Sequence, residues 1–347
     1  MPDMNAMAEN VAENRLWKKI PVTILTGFLG AGKTTLLNHI LRSETNEKIA
    51  VIVNEFGAAD IDGALVASGE EHLVTLDNGC ICCTVRNDLV ETLIDLLKRR
   101  LEMDGATKLE FDRIVIETTG LADPIPLVQT FMMDEVLMAA YEISAIVTVV
   151  DVIHVEKQLS YLPVAAEQIA LADLIVLSKS DLIPDGDRTE RIADIEAKIY
   201  SINAAAPIIP VKNGVVENSE LFRERRFFAP PEVMHDLEHD DHDHASHTHG
   251  ISSLVLRMEK PIAIDRLYEW IGELQNTLGP DLLRYKGIIY SDEYRGKRAV
   301  LQGVHTLYTV IPDREWKVDE KHETTIVIIG QNLDHEAIRK SFSVAVA

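Results

Sequence analysis

The chain has 347 residues, 46% of them apolar and 26% charged, and a net charge of −22. That length supports one large core plus a smaller second domain. The acidic balance argues against general binding to nucleic acid or anionic membranes, and no run approaches the roughly 20 apolar residues that span a bilayer.

Residues 1–18 read as a disordered polar arm that lacks the apolar core of a secretory signal, which predicts a cytoplasmic protein. A buried strand follows over Ile20–Thr26. It leads into Gly27-Phe28-Leu29-Gly30-Ala31-Gly32-Lys33-Thr34-Thr35, a match to G-x-x-x-x-G-K-[ST], and then into a helix carrying Leu36, Leu37, Ile40 and Leu41. Strand, glycine loop and helix together aim backbone N–H groups at a phosphate chain; Lys33 can reach the β/γ-phosphates and the Thr34 hydroxyl can bind Mg²⁺. The bland alternative, a glycine-rich turn, does not account for the flanking elements. A nucleoside triphosphate is the expected ligand.

The strand Ile49–Val53 ends at Asn54 and Glu55. Glu55 can ligate metal or position an attacking water, and both roles stay open here. Cys80, Cys82 and Cys83, the chain's three cysteines, precede a helix predicted over Val85–Leu101. Three thiols in four positions cannot form a disulfide framework. Thiolates are soft ligands for Zn²⁺ or Cu⁺, and the helix dipole favours their ionised form. Three sulfurs leave an open coordination position, as suits a metal that arrives and leaves. Buried thiols acting as small apolar groups, or a redox pair, are the alternatives.

The apolar strand Arg113–Glu117 runs into Thr118-Thr119-Gly120. A carboxylate at a strand end with glycine three positions on fits a Mg²⁺ and γ-phosphate sensor made of Glu117 and the Gly120 amide. Otherwise the pair is a surface acid and a turn glycine. A helix over Pro126–Met133, a strand over Ala145–Val150 and a helix over Val164–Leu171 come next. Then the strand Leu174–Leu177 carries Ser178-Lys179-Ser180-Asp181. In that motif Asp181 can accept from both N1–H and the exocyclic amine of guanine, while the Lys179 stem packs along the base; GTP and GDP are therefore the expected nucleotides. A helix over Arg188–Ile202 and a strand over Ile208–Val211 complete residues 19–225. Continuous apolar strands alternating with helices predict an α/β fold, a mostly parallel, doubly wound P-loop GTPase sheet.

Residues 226–250 form a polar linker holding half of the 12 histidines, among them His239, His242, His244, His247 and His249. Imidazoles alternating with carboxylates suit exchangeable capture of Zn²⁺, Ni²⁺ or Co²⁺. Beyond it, residues 251–347 read as a smaller α+β domain. Its strands are predicted near Ser253–Met258, Leu283–Tyr290, Ala299–Gln302, Thr306–Ile311 and Thr325–Ile329, backed by a helix over Ile264–Leu274 and a last one from Asp334.

These motifs together resemble the CobW-like branch of the metal-handling P-loop GTPases, and the likeness continues through Leu282-Leu283-Arg284-Tyr285-Lys286-Gly287, Gln302-Gly303-Val304-His305, Trp316 and Ile329-Gly330. The resemblance implies slow intrinsic GTP hydrolysis, with Lys33, Thr34 and Glu117 at the catalytic centre and Gly27, Gly30, Ala31, Gly32, Thr35, Gly120, Ser178, Lys179 and Asp181 around the nucleotide. It implies Zn²⁺ or Co²⁺ at the cysteines and nearby acids, and delivery of metal to a client metalloprotein or help in cobalamin assembly. A zinc buffer with a weak or regulatory nucleotide site is the rival expectation; a homo-oligomer stays open. In one departure Ser178 stands where the family pattern has Asn, which is expected to remove a side-chain brace on the P-loop while keeping Asp181.

Overall fold

The computed structural model of the chain describes residues 18–43, 47–53, 73–75, 85–101, 109–212, 214–222, 226–228 and 249–345. In chain order its first part holds β1 (Ile20–Thr26), α1 (Lys33–Arg42), β2 (Ile49–Val53), β3 (Leu73–Thr75), α2 (Val85–Leu101) and β4 (Arg113–Glu117). Next come α3 (Ile125–Met133), α4 (Glu135–Ala140), β5 (Tyr141–Asp151), α5 (Val155–Tyr161), α6 (Pro163–Leu171) and β6 (Leu174–Ser178). After these lie α7 (Arg188–Ile202), β7 (Ile208–Pro210) and the single turn α8 (Asn218–Leu221).

The strands form a seven-stranded sheet in the order β3-β2-β4-β1-β5-β6-β7. β1 lies parallel to both β4 and β5, and β2 parallel to β3 and β4. Every residue of β2, β4 and β6 is buried, which is why these strands read as unbroken apolar runs. The chain runs from β1 out to β2 and β3, returns to β4 beside β1, and then crosses to β5, β6 and β7 on the other side, so chain connections switch sides at β1. Crevices at such a switch point, beyond the carboxyl ends of the strands, are where open α/β sheets hold ligands. The doubly wound α/β reading of the sequence is therefore what the chain forms.

β5 begins four residues before the predicted Ala145 because Tyr141, Glu142 and Ile143 pair with Ile20, Pro21 and Val22. The short helices α4 and α5 were not expected from the sequence; α4 is capped by Asp134, whose side chain accepts from the Val136 and Leu137 amides. Buried Arg113 opens β4, its Nε donating to Glu47 at 2.8 Å and its guanidinium lying 4.5 Å from the Phe222 ring.

The C-terminal part holds β8 (Ile251–Met258), α9 (Ile264–Leu278), β9 (Leu282–Ile289), β10 (Lys297–Val304), β11 (Leu307–Glu315), β12 (Thr324–Gln331) and α10 (His335–Ala345). Its antiparallel five-stranded sheet has the order β11-β10-β9-β12-β8. Leu254, Leu256, Tyr285, Leu301, Ile326 and Ile328 of the sheet pack with Leu267, Trp270, Ile271 and Phe342 of the two helices in one buried core. The α+β expectation, strands backed by two helices, corresponds to this arrangement.

By internal contacts the chain divides into two compact units. One takes the segments up to Asp151 with Val176–Leu182 and Pro210–Arg226; the other takes Val152–Ile175, Ile183–Ile209 and everything from Phe227. The second unit contains a buried charge cluster. Asp173 Oδ1 accepts from Arg284 Nη2 at 2.5 Å and from Lys286 Nζ at 2.8 Å, Arg284 Nη1 donates to the Leu171 carbonyl at 2.9 Å, and the guanidinium lies 4.6 Å from the Phe227 ring. No helix among the described residues is long and apolar enough to cross a membrane.

Candidate functional site

The P-loop bends where glycine is required. Gly27 has φ 137°, and a Cβ there would sit 2.2 Å from the Val149 carbonyl oxygen of β5. Gly30 and Gly32 also have positive φ, and Gly32 is the residue from which α1 starts. Such a loop presents its amides and the start of a helix to one point, the arrangement that binds phosphate. Ala31 is buried and its amide donates to the Phe28 carbonyl at 3.1 Å. Lys33 lies across the loop, its Nζ donating to the Gly27 carbonyl at 2.8 Å and to that of Phe28 at 3.2 Å.

The end of β4 meets this loop. Thr34 Oγ1 donates to Glu117 Oε1 at 3.1 Å, and Glu117 is buried. The Thr118 amide donates to the Leu25 carbonyl at 2.9 Å, so the backbone beyond Glu117 stays laced to β1. Gly120 then passes so close to the crest of the P-loop that a Cβ on it would be 2.4 Å from the Leu29 nitrogen. Only glycine fits there. Two hard oxygen donors side by side next to a helix start form a donor set that fits Mg²⁺.

At the end of β6, Ser178 corrects the expectation set by the missing Asn. Its Oγ donates to the Ala31 carbonyl of the P-loop at 2.5 Å and lies 3.2 Å from the Val150 carbonyl. The brace survives, made by a hydroxyl instead of an amide. Beside it, Gly32 is required by its φ of 101° and not by space, since a Cβ there would meet Ser178 only at an ordinary 3.8 Å. Lys179 has φ 61°, uncommon for a residue with a long side chain, and its Nζ donates to Asp151 Oδ2 at 2.7 Å. Ser180 Oγ donates to the Val211 carbonyl at 2.7 Å, and Asp181 sits partly exposed on the single 3₁₀ turn Ser180–Leu182.

Two contributors to this end of the sheet were missed in the sequence. Asp151 ends an apolar strand, one residue past the predicted Val150, and belongs to no motif. Gly214, with φ 70°, comes next to α1: a Cβ there would be 3.0 Å from Thr35 Cγ2. The Asn213-Gly214 pair was a turn signal that could have marked it. The His39 ring also bonds the Val216 carbonyl at 2.9 Å, tying α1 to the same segment.

The metal-ligating expectations fare differently. Glu55, Cys80, Cys82, Cys83, His239, His242, His244 and His247 lie outside the described residues. His249 is described, with φ 53° and its carbonyl accepting from Gln331 Nε2 at 2.9 Å. Among the described residues no group of three or more His, Cys, Asp and Glu side chains could hold a metal ion.

Comparison with known proteins places this geometry. Residues 21–210 match the CobW/HypB/UreG nucleotide-binding domain, and residues 251–346 match the cobalamin synthesis protein cobW C-terminal domain. The chain belongs to the CobW/HypB/UreG family. It is 38% identical to the zinc chaperone YjiA of Escherichia coli over 324 residues, 93% of this chain and 98% of that one. It is 35% identical to the zinc chaperone CobW of Pseudomonas aeruginosa, covering 95% of this chain and 92% of the relative. Its fold resembles the crystal structure of Zn(II)-bound YjiA GTPase from E. coli with a TM-score of 0.73 at 32% identity, over 95% of this chain and all of that one. A fission-yeast relative, zinc-regulated GTPase metalloprotein activator 1, is 31% identical over 90% of this chain.

Proposed function

We propose that this chain hydrolyses GTP to GDP and phosphate, with slow intrinsic turnover, and uses the cycle to load Zn²⁺ into client metalloproteins in the cytoplasm. What carries the reading is the meeting of P-loop, Glu117 and the Ser178–Asp181 motif at one end of the sheet, with Thr34 and Glu117 3.1 Å apart. The zinc part is supported by relatives that bear the name zinc chaperone over nearly their whole length. The domain division we favour is 19–225 for the GTPase, 226–250 for the histidine-rich linker and 251–347 for the C-terminal domain.

Loop amides between Gly27 and Thr35, other than that of Ala31, bind the triphosphate, and Lys33 exchanges its two carbonyl contacts for phosphate oxygens. Fixed donors aimed at developing charge lower the barrier without rearranging during the reaction. Thr34 and Glu117 would hold Mg²⁺, which when bound neutralises charge on the β- and γ-phosphates. The Gly120 amide faces the γ-phosphate. Asp181 reads guanine, and the Ser178 brace holds that motif to the P-loop.

Zn²⁺ is cargo, held by the thiolates of Cys80, Cys82 and Cys83 with Glu55 and gathered by His239, His242, His244, His247 and His249. The cysteines fall between β2 and β4 in the sequence, so the γ-phosphate can alter their geometry and drive transfer. Such coupling is reciprocal: if GTP changes zinc affinity, zinc changes GTP affinity by the same factor. Zinc titrations with GDP and with a non-hydrolysable GTP analogue test it. Different dissociation constants support the cycle, whereas equal ones would remove the coupling.

The histidine-rich run also favours a second reading, a zinc buffer whose nucleotide site is regulatory. Hydrolysis that is the same for the parent and Lys33→Ala would select it. A role in cobalamin assembly, named in the C-terminal family's description, would show as preference for Co²⁺ over Zn²⁺.

A further inference from the structure

We infer that Asp151 is a positioning residue for guanine, acting through Lys179; this rests on the reading of Ser178–Asp181 as the guanine motif. Asp151 is the last residue of β5 and 2% exposed, yet it belongs to no part of that motif. Its Oδ2 accepts from Lys179 Nζ at 2.7 Å, and the Lys179 side chain is one-third exposed, at 33%. The contact therefore joins a buried anion to a cation that reaches the surface.

Two observations and one physical argument make this more than a chance ion pair. First, Lys179 holds φ 61°, a left-handed conformation that a long side chain adopts only when its surroundings impose it. The Leu182 amide closes the turn onto the Lys179 carbonyl at 3.0 Å, fixing the backbone from the other side. Second, the ends of β5 and β6 are stitched together one residue earlier, where Ser178 Oγ meets the carbonyls of Val150 and Ala31. The Asp151–Lys179 contact is the next rung of that seam. Third, a lysine stem that serves as a flat platform for a base must have its far end anchored. Otherwise four rotatable bonds spread the ammonium through solvent, and the platform must be ordered each time a base arrives.

Asp151 thus supplies order rather than contact. Its removal should act on nucleotide affinity instead of on the phosphate chemistry at Lys33, Thr34 and Glu117.

The test uses the full chain and a fluorescent GDP or GTP analogue. Asp151→Asn keeps the shape and removes the charge; it should weaken guanine-nucleotide binding by about tenfold, the worth of one charge-assisted hydrogen bond. The hydrolysis rate at saturating GTP should stay within about twofold, a split between KM and kcat that general damage would not give. Asp151→Glu, which keeps the charge, should recover most of the affinity, and it is read alone if the amide variant melts below the assay temperature. In a Lys179→Met background, Asp151→Asn should cost nothing further.

Unchanged affinity in Asp151→Asn would overturn the inference. So would an equal loss with and without Lys179. Failure of the underlying reading looks different: Asp181→Asn would then leave the preference for guanosine over xanthosine nucleotides unaltered, whatever Asp151 does.

Discussion

Replacing Asp173 by Asn should destabilise the second unit severely. The carboxylate is fully buried, at 0% exposed, and faces Arg284 at 1% and Lys286 at 7%. Burial pushes the Arg284 pKa down, and the charge of Asp173 pushes it back up. The amide keeps one acceptor oxygen but removes the negative charge that Arg284 and Lys286 share, leaving the two cations close together in a buried site. Breaking a buried ion pair from one side costs about 3–5 kcal/mol. At roughly 2–4 °C per kcal/mol for units of this size, the melting temperature should fall by about 6–20 °C. Circular dichroism melts of the full chain measure it. A control replaces all three partners, with Asp173→Leu, Arg284→Met and Lys286→Met, and should melt much closer to the parent, because no charge is then stranded. A fall of less than about 2 °C in Asp173→Asn would refute the reasoning, since it would mean that the site rehydrates or rearranges at little cost.

Gly27→Ala should abolish nucleotide binding, because the added Cβ would lie 2.2 Å from the Val149 carbonyl at a φ of 137°; wild-type affinity in a nucleotide titration would contradict this. Glu320 is held at about 2 by hydrogen bonds from Arg314, helped by Arg298. Its folded pKa is depressed, so its contribution is present above the ordinary carboxylate value and is lost as pH falls from about 4.3 towards that figure. Urea unfolding of Glu320→Gln should accordingly lose part of the parent's decline in stability between about pH 5 and pH 3. Zinc release into a chelator should occur in two steps. Metal on the histidine run leaves as pH falls through about 6.5, and thiolate-held metal leaves at lower pH. A single step, unchanged on deleting residues 238–249, would count against two classes of site.

The parts of this molecule that were legible in its sequence are those specified by neighbours in the chain. The strand, glycine loop and helix from Ile20 to Arg42 follow from the burial of one and the spacing of the others. Partners from distant segments were not legible. Nothing near Ser178 shows that its hydroxyl reaches Ala31, 147 positions away, and the substitution for Asn therefore suggested a loss that did not occur. Asp151 and Asp173 border apolar strands with nothing beside them in the sequence to name a partner, whereas folding brings them to Lys179 and to Arg284 with Lys286. The helices α4 and α5 escaped notice because six or seven residues carry too little periodicity to be distinguished from loop.

The close passage of Gly120 over Leu29 has a mechanical meaning. There is no room for even a methyl group between the turn after β4 and the summit of the glycine loop, so the two backbones lie in direct contact. Leu29 is 53% exposed, so its apolar side chain stands at the surface directly above that junction. A side chain of any kind at position 120 would therefore have to lift the loop crest, and with it the exposed leucine, off the turn.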